Sequence, residues 1–499
     1  MYGRLTAKTL ETIKSFRATV TKAQTTGITQ ATGIVDYDLE QYAKTLYAVQ
    51  TPIRQTIPRV TSNRGDTATH WKAIIAINSN RTNPGKSEGH RGASIDQTEA
   101  DRVKSYKGLA LENSITEEAI MAAEGFDNAL AIMGDNLLRA MMIAEEEIIL
   151  TGNGSLSLGT PTAPTGVAGT NAAATLPSGT YKARVVALTY DGLQRASVAG
   201  GVVTTFTKNN NDGTSDTVAG GSSQKSAASA GVAVTLGQQV TWTWPAVPGA
   251  FGYALYVDVQ ANDPNEILCY VGSFNSFVQT AASAGTQLAS AITADNSANS
   301  LVFDGLLTQL VITDSNSKYA GQTSGYYKSL DGATLTGHAD GSIDQFDTML
   351  EQLYLLYKVT PDQIWVSTDV YKSLKHLAFV NGATSFRLNI SSDPKNNGSV
   401  TLGTIVGEYL NGFAIGGGKP LPVAVHPNLP AGNAFFDCAT NPLPLANIPG
   451  ARRMKMRRDF YQRLWPQTTD TRYTSVQEDG LLELYIPFAM AWLQNIGAS

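Results

Sequence analysis

The feature that most constrains this chain is a helical periodicity running from Ser114 to Gly154. Apolar residues at Ile115, Ala119, Ala122, Phe126, Leu130, Met133, Leu137, Met141, Ala144 and Ile148 step by three or four throughout, so the spacing predicts one long helix. Ser114 with Glu117 three residues on reads as a capping box for its orphan amides, and Gly152 and Gly154 supply the stop. At 1.5 Å per residue such an element is roughly 50 Å long, the width of a domain. A second apolar set, including Ile120, Ile132, Leu138, Met142, Ile143 and Ile149, requires cover on more than one side. Gly125 and Gly134 weaken the middle and mark the place for a bend.

With 499 residues the chain exceeds one ordinary core, and two or three domains are expected. Net charge is -5, which gives no global electrostatic reason to bind nucleic acid tightly, so any DNA contact should be weak and local. The charge is unevenly spread. Residues 1 to 110 carry 16 Lys and Arg against 9 Asp and Glu, whereas 111 to 150 carry Arg139 against 9 acids. Either the basic segment of one subunit lies over the acidic helix of another, or both are solvated faces. Cys269 and Cys438 have no partner spacing for zinc or redox chemistry and read as small buried hydrophobes in a reducing compartment. No segment has the length and apolarity of a signal peptide or membrane span, which predicts a protein made and kept in the cytosol.

Residues 1 to 66 read as an arm, with an amphipathic pattern at 37 to 49 (Leu39, Tyr42, Ala43, Leu46, Tyr47) that suits docking on something else. A strand is expected over Thr67 to Ile77 and another over Arg102 to Leu111. Between them lies a polar, Gly-containing stretch that can build no core. Together, 67 to 111 describe a long projecting hairpin. A loop of this length suits contact with a neighbouring molecule.

At Thr160 the composition changes sharply, and 160 to 300 hold only about a dozen charged side chains. GTYKARVVALTYDG predicts a strand ended by an Asp191-Gly192 turn. QVTWTWPAVPGAFGYALYVDV and EILCYVGSFNSFVQT predict two strands each. Short strands separated by turns describe a β-sandwich. Trp244-Pro245, Gly249-Ala250 and the Tyr253/Tyr256 pair resemble a fibronectin type III or immunoglobulin-like domain, with 209 to 230 as a low-complexity loop inside it. From Leu301 the pattern is mixed: helices at 301 to 311, 343 to 357 and 370 to 377, a buried strand at 364 to 367, and short strands over 401 to 440. The apolar terminus LLELYIPFAMAWLQNI is expected to pair in a sheet against the long helix. The fold class is α+β, with the all-β sandwich inserted into one discontinuous domain.

No catalytic, cofactor-binding or metal site is expected. Gly152-x-Gly154 is followed by Ser157 where a dinucleotide fingerprint needs glycine, and GGGKP at 416 to 420 has Pro420 where a P-loop needs Ser or Thr. The histidines at 70, 90, 338, 376 and 426 lack paired ligand spacing. Glu145, Glu146 and Glu147 read as a solvated or ion-pairing surface. The alternation of Arg452, Arg453, Lys455, Arg457 and Arg458 with Met454 and Met456 suggests a strand with one charged face, for an ion-pair network between subunits or for phosphates.

The order of these parts resembles the major capsid proteins of tailed bacteriophages, the Hong Kong 97-like fold. The acidic-apolar run and Gly-x-Gly turn (Glu145 to Gly154), Pro164-x-Gly166-Val167, TPDQIWVSTDVYKSL, GGGKPLPVAVHPNLPAGNAFFDC and LELYIPFAMAWLQNI are each similar to segments of that family. The resemblance implies an extended loop at 67 to 111, a peripheral domain with the spine helix at 112 to 169, and an inserted immunoglobulin-like sandwich at 170 to 295. It also implies an axial domain at 296 to 445 and a peripheral return with the terminal strand at 446 to 499. It implies a non-catalytic subunit that assembles as hexamers and pentamers into an icosahedral virion shell around double-stranded DNA. Assembly would occur in the host cytoplasm with scaffold, portal and decoration partners. An encapsulin-like nanocompartment shell is the alternative. The hairpin's basic tip, Arg81, Lys86 and Arg91, would meet a neighbour's Glu145, Glu146 and Glu147, and the inserted sandwich would lie outside, dispensable for shell closure.

Overall fold

The computed structural model describes residues 49–78, 80–124, 127–258, 265–312, 325–338, 341–380, 407–414, 417–443, 446–467 and 469–497. The amphipathic segment expected at 37 to 49 lies outside them except for Val49. Helix and strand are mixed throughout, as the α+β pattern requires.

The predicted hairpin is present with different bounds. Ala68–Ile77 pairs antiparallel with Gln97–Ser105, from Ala68 opposite Ser105 to Ile77 opposite Gln97. The second strand stops at Ser105 because Tyr106 is buried, its hydroxyl donating to Ser62 Oγ at 2.8 Å. A new strand, Lys107–Thr116, then joins a four-stranded sheet. Its order is Arg59–Thr61, Arg452–Leu464, Thr471–Leu484, Lys107–Thr116.

That sheet changes the long helix. Ser114 pairs with Tyr473 and Thr116 with Thr471, so the residues expected to open the helix are strand. The single helix becomes two, Glu117–Ala123 and Ala129–Thr151. Thr116 Oγ1 caps the first by accepting from Ala119 N (3.3 Å), and Asn128 Oδ1 caps the second by accepting from Ala131 N (3.1 Å). Glu117 is drawn away from any capping box by an ion pair with Arg472. Gly125 falls between the two helices, outside the described residues, whereas Gly134 lies inside the second helix. The 23-residue helix is about 35 Å long. It packs Leu137 and Met141 against Val476 of the sheet, with Leu109 and Phe460 beside them.

The main core forms around a six-stranded sheet. Its order is Tyr326–Ser329, Ala491–Gln494, Ala434–Asp437, Gln363–Val366, Lys419–Val425, Glu408–Asn411. Helices Asp344–Tyr357 and Leu306–Val311 contribute Phe346, Leu350, Leu353, Leu307 and Leu310 to that core. The apolar terminus is shared between two sheets. Thr471–Leu484 lies in the spine sheet, a 3-10 turn intervenes at Pro487–Ala489, and Ala491–Gln494 crosses into the six-stranded sheet. The expectation that this whole segment pairs beside the spine therefore holds only for its first half. Trp492, wholly buried, is better accommodated in the larger core.

The low-charge region has layers of its own. One sheet runs Ser276–Gln279, Gln238–Thr243, Thr165–Thr170, and the other Ile267–Gly272, Gly252–Asp258, Gly179–Leu188, Val232–Val234. Trp242 and Val240 of the first share a buried cluster with Tyr181, Val185, Tyr253 and Leu255 of the second. Asp191-Gly192 does not end the strand as a hairpin turn but lies in a short helix, Tyr190–Arg195, capped by Thr189 Oγ1.

The segment expected to be a loop at 209 to 230 is more ordered than its composition implies. Thr205–Asn209 and Ser215–Ala219 form a hairpin. Beyond it, Ser223, Ser226 and Ser229 run along the part of Gly179–Leu188 that Val232–Val234 leaves unpaired. Their amides donate to the carbonyls of Ala187, Val185 and Ala183, and their hydroxyls accept from the amides of the same three residues, all at 2.8 to 2.9 Å. Serine at every third position thus meets every second residue of the strand. It satisfies an edge that would otherwise expose unpaired backbone groups.

The chain leaves the body at Gly154 and returns beside it. Gly305 N donates to Gly152 O at 2.8 Å, and Asp304 Oδ1 accepts from the amides of Gly154 and Ser155 at 2.9 Å each. A Cβ on Gly152 would meet Phe303 O at 2.6 Å, so the close approach needs glycine. The low-charge region is also keyed into the body. Phe251 stacks on Trp492 with centroids 4.9 Å apart and belongs to the main core, while Gln494 Nε2 donates to Ala250 O. A clean excision would uncover Trp492, so this geometry opposes the expectation of a dispensable module.

The serine ladder yields a direct test. Ser226→Ala leaves the buried Val185 amide without its side-chain acceptor and should cost about 1–3 kcal/mol in denaturant unfolding of the full chain. The exposed neighbour change Ala227→Gln should stay within about 0.5 kcal/mol.

Candidate functional site

Of the residues that sequence alone marks for contact, Glu145 and Glu146 lie where the arm crosses the end of the spine helix. Pro52–Thr56 forms a single helical turn with proline at its start. Glu146, wholly buried, supplies the missing cap: its Oε1 accepts from Ile53 N at 3.0 Å and its Oε2 from Arg54 N at 2.7 Å. His426 Nε2 lies 2.8 Å from Glu146 Oε1, and its Nδ1 accepts from Asn428 N at 3.1 Å. That second bond places the ring proton on Nε2, aimed at the carboxylate.

One residue earlier, Glu145 is equally buried and is held by Arg54 and Arg59. Arg59 also reaches Asp459 at 2.7 Å and Glu478 at 3.0 Å. Both guanidinium groups lie over Phe460, 5.0 and 4.8 Å from its centroid, so their outer faces are covered by an aromatic ring. Burial, and then the charge of Glu145, push the Glu478 carboxyl up to about 8, with Arg59 opposing. Burial also raises Glu147, with Asp191 adding to it. The acidic run is therefore not a solvated face. The basic-over-acidic contact expected between subunits is made here within one chain, and Glu145 and Glu146 are closed to any neighbour by their own arm.

The basic run on Arg452–Leu464 is likewise engaged internally. Arg452 shares the inward face with Met454 and Met456, is 1 % exposed, and pairs in bidentate fashion with Asp437 while donating to Thr56 Oγ1 at 2.9 Å. On the other face Arg453 pairs with Glu483 and Arg457 with Asp479. Glu483 also accepts from Thr69 Oγ1 at 2.7 Å and Tyr485 Oη at 2.8 Å, tying the hairpin base to the sheet. Arg458 is exposed and lies over Tyr461 at 4.9 Å. The strand thus has charge on both faces, because Asp437 is delivered to the inner one by the neighbouring sheet. Arg81, Lys86 and Arg91 at the hairpin tip are all exposed.

Sequence reading missed His426, Asp437, Asp459, Glu478 and Glu483. Each lies hundreds of residues from its partner or on a different strand, and no local spacing marks it. Cys438 is buried and its thiol is pushed well above its ordinary range by that burial and by Asp362 and Asp437; Cys269 is half-buried. Among the described residues no group of three or more His, Cys, Asp or Glu is placed to hold a metal ion, and no helix is long and apolar enough to cross a membrane.

The network makes stability depend on pH with a definite sign. Glu478 holds its proton more tightly in the folded chain than at its ordinary value of 4.5, so its contribution is full below that value and is lost as pH rises through about 8. Unfolding midpoints measured from pH 5 to 9 should fall over this window, and Glu478→Gln should flatten that slope. Removing the Glu146 carboxylate by Glu146→Ala should cost about 3 kcal/mol or more, since it strips the arm helix of its cap and His426 of its acceptor.

No family model and no curated protein matches the chain. Among solved structures, a capsid of a native GTA particle aligns over 94% of this chain and 98% of its own, at 8% identity and TM-score 0.44. Gordonia phage Cozz aligns over 96% and 99% at 8% identity and TM-score 0.42. An encapsulin complex from Synechococcus elongatus PCC 7942 aligns over 91% and 93% at 8% identity and TM-score 0.36.

Proposed function

We propose that the chain is a major capsid protein of Hong Kong 97-like fold, a non-catalytic subunit that self-assembles into an icosahedral shell around double-stranded DNA. The observation that carries this reading is the hairpin. Its strands span Ala68–Ile77 and Gln97–Ser105, its tip is polar, and Ile74, Ile77 and Ile95 are 60%, 62% and 57% exposed. Such an arm buries little on its own chain. Its length and apolar sides are accounted for by a neighbouring subunit.

On this reading hexamers and pentamers of one chain close the shell, many modest contacts being multiplied by symmetry. Arg81, Lys86 and Arg91 on the tip, with the exposed Arg458, are the contacts offered to neighbours. Glu145 and Glu146 act instead inside the subunit, and acidic groups elsewhere on the neighbour receive the tip. The two-sheet region, expected at 170 to 295 and beginning with the strand Thr165–Thr170, is an immunoglobulin-like insertion facing outward, and its keyed base helps to hold the tile rigid. Scaffold, portal and decoration proteins are the expected partners during assembly in the host cytoplasm. The packaged DNA touches the inner surface weakly, in line with the net charge of -5.

Negative-stain microscopy of the overexpressed full chain should show closed shells. Arg81→Glu with Lys86→Glu and Arg91→Glu should give soluble, folded subunits that fail to close, and normal shells would refute the tip's role. The contents separate the two shell classes: genome-length DNA in particles from infected cells supports the capsid, and a fixed protein cargo would identify a nanocompartment.

A further inference from the structure

The far end of the strand Arg452–Leu464 turns a cationic, aromatic face away from the spine helix. Phe460 packs beside Leu137 and Met141 of that helix, so Tyr461, Arg463 and Trp465, which follow it at odd steps, lie on the opposite face of the sheet. Each ring is tied down by its polar end: Tyr461 Oη donates to Gln477 Oε1 at 2.7 Å, and Trp465 Nε1 donates to Ser475 Oγ at 3.2 Å. An arginine lies over each, Arg458 over Tyr461 at 4.9 Å and Arg463 over Trp465 at 4.2 Å. Both arginines are exposed, and among the described residues neither forms an ion pair. The carboxylates in register on the neighbouring strands are already taken, Asp479 by Arg457 and Glu112 by Asn211 Nδ2 at 3.0 Å. A guanidinium stacked flat on a fixed ring has lost much of its rotamer freedom while its N–H edge stays open, so it is preorganised for an anionic oxygen. With the outer side of each ring covered by its arginine, a nucleobase has no ring face to stack on, and the chemistry favours carboxylates.

The chain also carries a surface of complementary chemistry. In the helix Glu117–Ala123, Glu117 is drawn to the sheet by Arg472, which leaves Glu118, Met121 and Ala122 on the outward side. Met121 is 62% exposed, and Glu118 and Glu124 are exposed without an ion pair among the described residues. We infer that the Arg458 and Arg463 face of one copy receives the Glu117–Ala123 helix of a second copy, with Glu118 and Glu124 pairing to the two arginines and Met121 against the ring edges between them. The spacing fits. Tyr461 and Trp465, on which the arginines rest, are four strand residues or about 13 Å apart, and Glu118 and Glu124 are about 9 Å apart along the helix, a difference that two glutamate side chains close. The helix cannot serve its own chain, because it is held on the spine-helix side of the sheet, where Ala123 and Ile132 line a common cleft. The two surfaces are different, so the contact is heterologous and repeats from copy to copy, as a closed ring of subunits requires. The inference rests on the shell reading for the adjoining copy and names what Arg458 meets there.

The test co-expresses two differently tagged full chains in a Cys269→Ser background, one with Ala122→Cys and the other with Gln477→Cys, which lies opposite Tyr461 on the receiving face. Docked thiols meet at a raised effective concentration, so mild oxidation should give disulfide-linked heterodimers in about tenfold excess over those from Ala122→Cys with Leu236→Cys, an exposed position on the low-charge region. Arg458→Glu with Arg463→Glu in both chains should remove the excess, and adding Glu118→Arg with Glu124→Arg should restore it. This rescue separates a lost contact from a lost fold. The inference is overturned if no excess forms, if charge reversal leaves the excess in place, or if nuclease abolishes it, since a nucleic acid would then hold the copies together. Closed shells without the crosslink sink this contact alone, and crosslinked oligomers that never close sink the shell reading alone.

Discussion

Two carboxylates in the last turns of the spine helix, Glu145 and Glu146, impose the condition that the rest of the chain meets. A helix C-terminus carries the negative end of the macrodipole, so acids there are disfavoured even in water. Here both are wholly buried. Buried carboxylates without partners cost several kcal/mol each, and the fold answers with Arg54 and Arg59 from the arm and His426 from the end of strand Lys419–Val425 in the six-stranded sheet. Glu146 in turn caps the arm's own helix. Helix, arm and core thereby require one another. The arm's burial of Ile53 and Ile57 in the main core supplies the apolar component of the same contact.

The same logic of distant closure holds the low-charge region in place. Its entry at Gly154 and its exit at Asp304 and Gly305 are hydrogen-bonded to each other, which lets a unit of two sheets leave and return without opening the body. Its interior is ordinary apolar packing around Trp242 and Tyr253. Its edge is not ordinary. Three serines do with side chain and main chain what a β-strand does with main chain alone, and a sequence poor in large residues becomes a well-bonded border. The stacked pair Phe251 and Trp492 then joins the two cores into one continuous packing.

Much of the architecture was legible because periodicity is local. The helix from Ala129 to Thr151, the first hairpin strand, the helix Asp344–Tyr357 and the strand Gln363–Val366 follow from spacings of three to four or of two, whereas the stretch expected as the second hairpin strand, Arg102 to Leu111, is divided between the hairpin and the spine sheet. The start of the spine was misplaced for an equally physical reason. Residues 114–116 fit a helical stripe, but Thr471–Leu484 offers them a full antiparallel ladder, and tertiary pairing outweighs a propensity difference of tenths of a kcal/mol. The composition of the serine segment predicts a loop, because no one-dimensional pattern marks a period of three that serves a period of two.

Charge was the least legible property. Composition alone showed a basic arm and an acidic spine, and that they suit each other. Their meeting inside one chain depends on side chains brought together across large sequence separations: Arg59 to Asp459 across 400 residues, His426 to Glu146 across 280. An ion pair has no sequence period, and only the packed positions of the elements decide which acid a given arginine finds. The sequence by itself determined which stretches become helix, hairpin and low-charge sheets, since these rest on the repeat of apolar side chains along the backbone. The tertiary structure alone decided where the spine begins, which sheet receives the terminal strand, and that the acidic end of the spine faces inward, because each was settled by partners that lie near only after the chain has folded.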